Sequence, residues 1–292
     1  MIDFNGAGQG DPQAHDGGRA FFVVIANVKG GTGKSTNAAH MAVVLEKMGL
    51  VVGGLDLDTA QQSFFRYLGN RERFADHHGL SVPIAIQRKL HASDKVDLDQ
   101  RQMEELNRFS AAVEDLAPRC DVVIVDCPGN DTYLSRLGHA AADLLVTPVN
   151  DSLMDLDLLA HWDAVERRMT GPSIYSELVY EVNQTRLQAG EDPLQWHVVV
   201  NRYDPAGDPT DTEAWRHMVH LSDRLGFTPT VGVAERRIFR QLFGQGLTLY
   251  DLDEPPATSP KLVEHRLARG EMDRLLASLG IPGIRRLERP AA

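Results

Sequence analysis

The sequence predicts a doubly wound α/β fold: a mostly parallel sheet flanked by helices. Its apolar segments are continuous rather than alternating, as strands covered on both faces require. Helical or polar stretches long enough for crossovers separate them, and a glycine-rich loop joins the first run to the first helical pattern.

The 292 residues can bury one substantial core, and no linker divides them. Residues 1–19, rich in Gly, Asp and Gln, read as a disordered tail lacking the basic start and apolar stretch of a secretory signal. The folded domain is expected over 20–281, with 282–292 a C-terminal tail. No apolar stretch is long enough to span a bilayer. Cys120 and Cys127 suffice neither for a disulfide framework nor for a zinc site, so a reducing cytoplasm is expected. A net charge of −11 opposes broad attraction to DNA while leaving room for a local basic face.

Taken in order, Phe21–Ala26 is the first strand, and Ala38, Ala39, Met41, Ala42, Leu45 and Met48 give a helical apolar pattern after the loop. Val51–Leu55 is the second strand. Between Tyr67 and Arg119 the chain turns polar and reads as an irregular excursion closing in a helix, Leu98 to Leu116. His77 and His78 fall in that excursion; adjacent side chains diverge, so they read as solvated loop residues rather than metal ligands. Further strands are expected at Val122–Val125, Leu144–Val149, Trp196–Val200 and near Thr230–Val233, with a helix from about Glu213 to Leu225 capped by Thr212. Met272, Leu275, Leu276 and Leu279 form a last apolar stripe, read as core packing. Pro282 and Gly283 break it, and the remaining Ile284-Arg285-Arg286-Leu287 is too short to bind lipid well, so no stable membrane anchoring is expected.

The loop Asn27-Val28-Lys29-Gly30-Gly31-Thr32-Gly33-Lys34-Ser35-Thr36 carries the chemistry. Glycine-rich turns at strand ends are common, but this one sits between a strand and a helix and ends in Gly-Lys-Ser, the context of a phosphate-binding P-loop. Backbone N–H groups would surround the phosphates, Lys34 would reach the outer ones and Ser35 would hold Mg²⁺, which implies a nucleoside triphosphate. The loop departs from the ordinary form, because Val28 replaces its first glycine and a second lysine, Lys29, stands inside it. Beside Lys34, Lys29 would suffer like-charge repulsion unless phosphates neutralise both, or it points to phosphates held by a second subunit.

Carboxylates complete the pattern. Asp126 ends an apolar strand and is followed by Cys127-Pro128-Gly129, suiting it to back the Mg²⁺. Asp56 and Asp58, two residues apart on an extended segment, are expected to point the same way. Asp58 is then the candidate for placing the attacking water and Asp56 for acting on Mg²⁺ through its water shell.

Through K-G-G-T-G-K-S-T (29–36), L-D-L-D (55–58) and V-D-C-P-G (125–129), the chain resembles the ParA/MinD group of deviant-Walker ATPases. The stretches D-L-L-V-T-P-V-N-D-S-L-M-D-L-D (143–157) and R-I-F-R-Q-L-F-G-Q-G-L-T-L-Y-D (237–251) narrow the likeness to the MipZ ATPases, which position the division plane; it runs from Phe21 to Leu279. The resemblance implies a slow, Mg²⁺-dependent ATPase with ATP and Mg²⁺ bound over Lys29, Gly30, Gly31, Thr32, Gly33, Lys34, Ser35 and Thr36. Lys29 would act across an ATP-bound homodimer, Lys34 on phosphate, Ser35, Asp56 and Asp126 at the metal, and Asp58 in hydrolysis. Asn201 and Arg202 match the adenine contact, and Asn150 and Asp151 a loop near the nucleotide and dimer face. FtsZ, ParB and nucleoid DNA are the implied partners.

One stretch departs from the pattern. The helix after the adenine-contact strand is acidic here (Asp204, Asp208, Asp211, Glu213, Asp223 against Arg216 and Arg224), which weakens DNA binding there and leaves Arg236, Arg237 and Arg240 as the smaller basic face. The alternatives are a ParA-like cargo-positioning ATPase and a MinD-like membrane-cycling one. A redox ATPase would need cysteines better placed than Cys127, and a dehydrogenase a more complete fingerprint than Gly6-Ala7-Gly8-Gln9-Gly10.

Overall fold

The computed structural model describes residues 19–163, 165, 168–252 and 260–284. The expected N-terminal tail, apart from Arg19, therefore lies outside the described residues, as does the C-terminal tail beyond Ile284.

The strands β1 (Phe21–Ile25), β2 (Val52–Asp56), β3 (Ile86–Lys89), β4 (Val122–Asp126), β5 (Leu144–Asn150), β8 (Gln195–Asn201) and β9 (Thr228–Val231) form one seven-stranded sheet ordered β3-β2-β4-β1-β5-β8-β9. Every pairing in it is parallel. β6 (Ala160–Asp163) and β7 (Arg168–Pro172) form a separate antiparallel hairpin.

Helices cover both faces, so successive residues of one strand enter different cores. Phe22 and Val24 pack with α3 (Leu98–Leu116), α4 (Tyr133–Ala141), α6 (Ile174–Gln188) and α7 (Glu213–Leu225). Val23 and Ile25 pack with α1 (Lys34–Lys47), α2 (Ser63–His78), α8 (Arg237–Phe243) and α9 (Pro260–Ser278). A short helix, α5 (Leu153–Leu156), follows β5. Since both sides of each central strand are buried, alternation is absent and the continuous runs are explained. β1 lies between β4 and β5, where the strand order reverses, and its C-terminal end is the crevice in which such sheets bind ligands.

The bounds of α3 and α7 match expectation, and Thr212 caps α7 by accepting from Trp215 N at 3.1 Å. Met272, Leu275, Leu276 and Leu279 are buried, as core packing requires. Among the described residues no helix is long and apolar enough to cross a membrane.

The polar stretch after Tyr67 is corrected. It continues α2, with His77 and His78 exposed on its last turn rather than in a loop. The helix was concealed because Arg71 sits on its buried face, 0% exposed, fixed by both oxygens of Asp251 (2.6 and 2.9 Å) and by Pro83 O (2.8 Å). A buried cation with a partner distant in sequence breaks the apolar stripe that reveals a helix. The excursion also contains β3, a short edge strand whose Arg88 and Lys89 are exposed, which discourages pairing with another chain. The β6–β7 hairpin had no counterpart in the sequence reading, and β9 lies two residues earlier than expected.

Candidate nucleotide-binding site

The P-loop leaves β1 and turns through Gly31 (φ 78°) and Gly33 (φ 92°) into α1. Gly33 is the N-cap of α1 and provides no side-chain acceptor, so the first-turn N–H groups remain available to an anion. A Cβ on Gly33 would stand 2.5 Å from Asn201 Nδ2, so both its backbone angle and its surroundings require glycine. The loop borders a cavity of about 710 Å³ lined by Gly30, Gly31, Gly33, Lys34, Ser35 and Thr36 on one wall and by Asp58, Asn201, Arg202 and residues 233–236 on others.

On the β4 side, Lys34 is buried and its Nζ donates to Lys29 O at 2.7 Å. Burial pushes its pKa down, against the pull of Asp126. Asp126 is buried at the end of β4. Burial drives its pKa well up, with Asp56 adding to the rise and a hydrogen bond from Ser35 opposing it. Its Oδ1 has no hydrogen-bond partner. An unpartnered buried carboxylate oxygen beside a hydroxyl fits Mg²⁺, with Ser35 as ligand and Asp126 holding a metal-bound water. Among the described residues no cluster of three or more His, Cys, Asp or Glu forms a metal site alone, so remaining ligands would be phosphate and water.

Asp56 and Asp58 do not act as a pair facing one way. Asp56 Oδ1 accepts from Asp58 N (3.0 Å), and Oδ2 accepts from Phe64 N (3.0 Å) and Phe65 N (3.2 Å). Gln62, the N-cap of α2, supplies no side-chain bond, and Asp56 satisfies those helix donors instead. Burial raises its pKa to about 6 despite these bonds. In this geometry it holds the loop that carries Asp58 and stands beside Asp126, its register partner on β4. Asp58 itself lines the cavity, and its Oδ1 accepts from Ala60 N (3.2 Å) and Gln61 N (2.9 Å).

Lys29 leaves its own phosphate cavity. Its Nζ donates to Asp155 Oδ1 at 2.7 Å and to Met154 O at 2.8 Å, on α5, while its backbone N–H donates to Asn27 Oδ1 at 2.6 Å. The second lysine thus stands outside the cavity, partly exposed and held against α5.

At the β8–β9 end the polar groups are engaged within the protein. Asn201 Nδ2 donates to Thr32 O (2.7 Å) and its Oδ1 accepts from Val233 N (3.1 Å), so the amide pins the P-loop to the β9 loop instead of offering both edges to adenine. Arg202, in the left-handed region (φ 54°), donates to Gly31 O and to Glu235 Oε1 (2.9 Å). Asp151 accepts from the Thr212 hydroxyl at 2.9 Å and so ties β5 to the cap of α7. Neither it nor Asn150 lines the cavity.

The three arginines of the expected basic face divide. Arg236 lines the cavity and pairs with buried Glu271 at 2.6 Å, Arg240 pairs with Glu235, and Arg237 is exposed. Glu235, Phe239, Phe243 and Glu271 were not singled out from sequence. Glu271 lies 35 residues from Arg236, beyond any local pattern.

A family model described as "ATPase MipZ" matches residues 21–283. A putative replication protein A of Rhizobium rhizogenes is 25% identical over 177 residues, covering 50% of this chain; the chain spans only 44% of that relative's length. An uncharacterised ATP-binding protein of Methanocaldococcus jannaschii is 26% identical over 188 residues, 60% of this chain and 70% of its own. Among solved structures, apo McdA of Cyanothece superposes with TM-score 0.57 at 20% identity, covering 88% of this chain and 99% of McdA. The septum site-determining protein MinD of Pyrococcus horikoshii, complexed with Mg-ADP, superposes with TM-score 0.53 at 15% identity, covering 89% and 96%. These likenesses carry the fold, and the family match, across most of the chain and over the whole P-loop sheet, means that the chain belongs to the MipZ ATPase family.

Proposed function

We propose that this protein is a slow, Mg²⁺-dependent ATPase that dimerises when ATP is bound. As the dimer it restrains FtsZ polymerisation, with ParB and nucleoid DNA as further partners in the cytoplasm, and so places the division plane. The observation that carries the reading is Lys29: a second loop lysine held outside the cavity that Lys34, Ser35 and Asp58 line, with Asp126 buried beside Lys34 and Ser35.

The chemistry follows from position. Hydrolysis of a γ-phosphate needs placement of water and neutralisation of charge more than covalent help. Lys34 neutralises phosphate charge and gains from it, because its burial is unfavourable without an anion. Mg²⁺, when bound, would spread charge over the outer phosphates, held by Ser35 with Asp126 behind it. Asp58, in a loop fixed by Asp56, orients the attacking water. Lys29 exchanges Asp155 for the phosphates of a second subunit, making the nucleotide part of the dimer contact.

DNA contact is proposed as weak and steeply salt-dependent, since Arg236 and Arg240 already have carboxylate partners. The test is FtsZ pelleting with the ATP-loaded Asp58→Ala protein. Loss of pelleted polymer supports the reading. Undiminished polymer overturns the FtsZ assignment and leaves a ParA-like positioning ATPase of other cargo.

A further inference from the structure

Glu235 follows β9 and lies where two arginines from different elements converge. Arg202, at the end of β8, donates to its Oε1 at 2.9 Å, and Arg240, on α8, bonds the same oxygen. Through its other nitrogen Arg202 reaches Gly31 O in the P-loop. The result is a continuous chain of contacts, Gly31–Arg202–Glu235–Arg240, running from the phosphate loop to α8. All four residues line the same cavity of about 710 Å³.

Two features separate this chain from ordinary surface pairing. Arg202 holds a left-handed backbone (φ 54°), one of two such non-glycine residues among those described, and side chains in that region are retained where surrounding contacts or function demand it. The chain also joins parts that are otherwise separate in sequence: the loop after β1, the end of β8 and the helix after β9. Its links are partly to largely exposed, with side-chain exposures of 36% for Arg202, 42% for Glu235 and 73% for Arg240. Pairs so exposed open readily and are screened by salt. A closure that is continuous but weak suits an element that must open and reclose.

We infer that Arg202, Glu235 and Arg240 form an ionic strap across the mouth of the nucleotide cavity, and that its opening limits the exchange of nucleotide. The inference rests on the reading of this cavity as the ATP site. Arg202 is the strap's hinge, because it alone touches the P-loop. Glu235 is its clasp, because both arginines need it. A strap that gates passage without gripping the bound nucleotide changes entry and exit by similar factors and leaves affinity nearly unchanged.

Stopped-flow fluorescence of mant-ADP with the full chain tests this. Glu235→Gln is expected to raise the dissociation rate by about three- to fivefold and the association rate by a similar factor, as loss of two half-exposed pairs allows. Arg240→Gln, on the exposed side of the clasp, should give a smaller rise in both. Added salt should speed release from the parent protein more than from Glu235→Gln. Unchanged rates in both variants would overturn the strap, as would a faster release with unchanged entry, which marks a lost ligand contact. If mant-ADP fails to bind the folded parent protein, the reading of the cavity itself falls.

Discussion

At the β4 end of the cavity Asp126 keeps a carboxylate oxygen without a partner and Lys34 sits buried beside it, whereas at the β8–β9 end the amide of Asn201 and the guanidinium groups of Arg202 and Arg236 are all bonded within the protein. The first end is incomplete by itself. A buried lysine and an unpartnered carboxylate oxygen are costly in isolation, which supports the proposal that phosphate and a cation are bound there. The second end is already satisfied, so ligand contact there must displace an existing bond. Such an end suits holding the loop in shape and timing access. Phosphate and metal contacts are therefore expected to dominate affinity, and contacts at the other end to govern stability and rates.

The largest effect is expected at the open end. Asp58→Ala should retain ATP binding and lower the hydrolysis rate by about 10²- to 10⁴-fold, since water placement is removed while phosphate contacts remain. Phosphate release and equilibrium binding measured side by side check this, and a parallel loss of binding would merge the two ends into one function. At the closed end the expected cost is in folding. Arg236→Ala leaves Glu271 buried without its cation and should destabilise the chain by about 3 kcal/mol or more, read from the urea midpoint. A variant as stable as the parent would show that this end is not structural.

His40 lies on α1 behind the P-loop, fully buried between Tyr67 and Phe239, with Nδ1 bonded to Thr36 O at 2.9 Å. Burial pushes its pKa down to about 4. A histidine depressed in the folded state contributes stability that is present in full above its unfolded value and lost as pH falls. Between about pH 6.5 and 4 that loss approaches about 3 kcal/mol. Urea midpoints across this range should fall, and His40→Gln should flatten the fall; an equal slope in the variant would assign acid sensitivity elsewhere. The smallest effect concerns Lys29. Asp155→Ala removes a partly exposed ion pair and should lower the ATP concentration for half-maximal dimerisation by up to about fivefold, measured by light scattering.

The legible parts of this molecule are those whose signals are local. The P-loop, the strand ending in Asp126, and the Thr212 cap each lie within a few residues of what they organise. α2 was illegible because Arg71 owes its burial to Asp251, 180 residues away. The bonds from the first turn of α2 to Asp56 were also hidden, because pattern alone does not show that Gln62 leaves that helix without an N-cap side chain. Asn201 and Arg202 stand at the end of β8, the strand end expected from sequence, but their partners Thr32, Gly31 and Glu235 come together only when β1, β8 and β9 are set side by side. Elements carried by one segment could be read from sequence, and contacts between segments could not.

Binding of Mg²⁺-ATP in this cavity is proposed to be felt outward through Lys29. The most direct measurement is solution mass by light scattering of Asp58→Ala, with and without Lys29→Ala, each in Mg²⁺-ADP and in Mg²⁺-ATP. Asp58→Ala should be a single chain in ADP and two chains in ATP, and the double variant a single chain in both while still binding ATP. A dimer that persists without Lys29, or one formed equally in ADP and ATP, would contradict it.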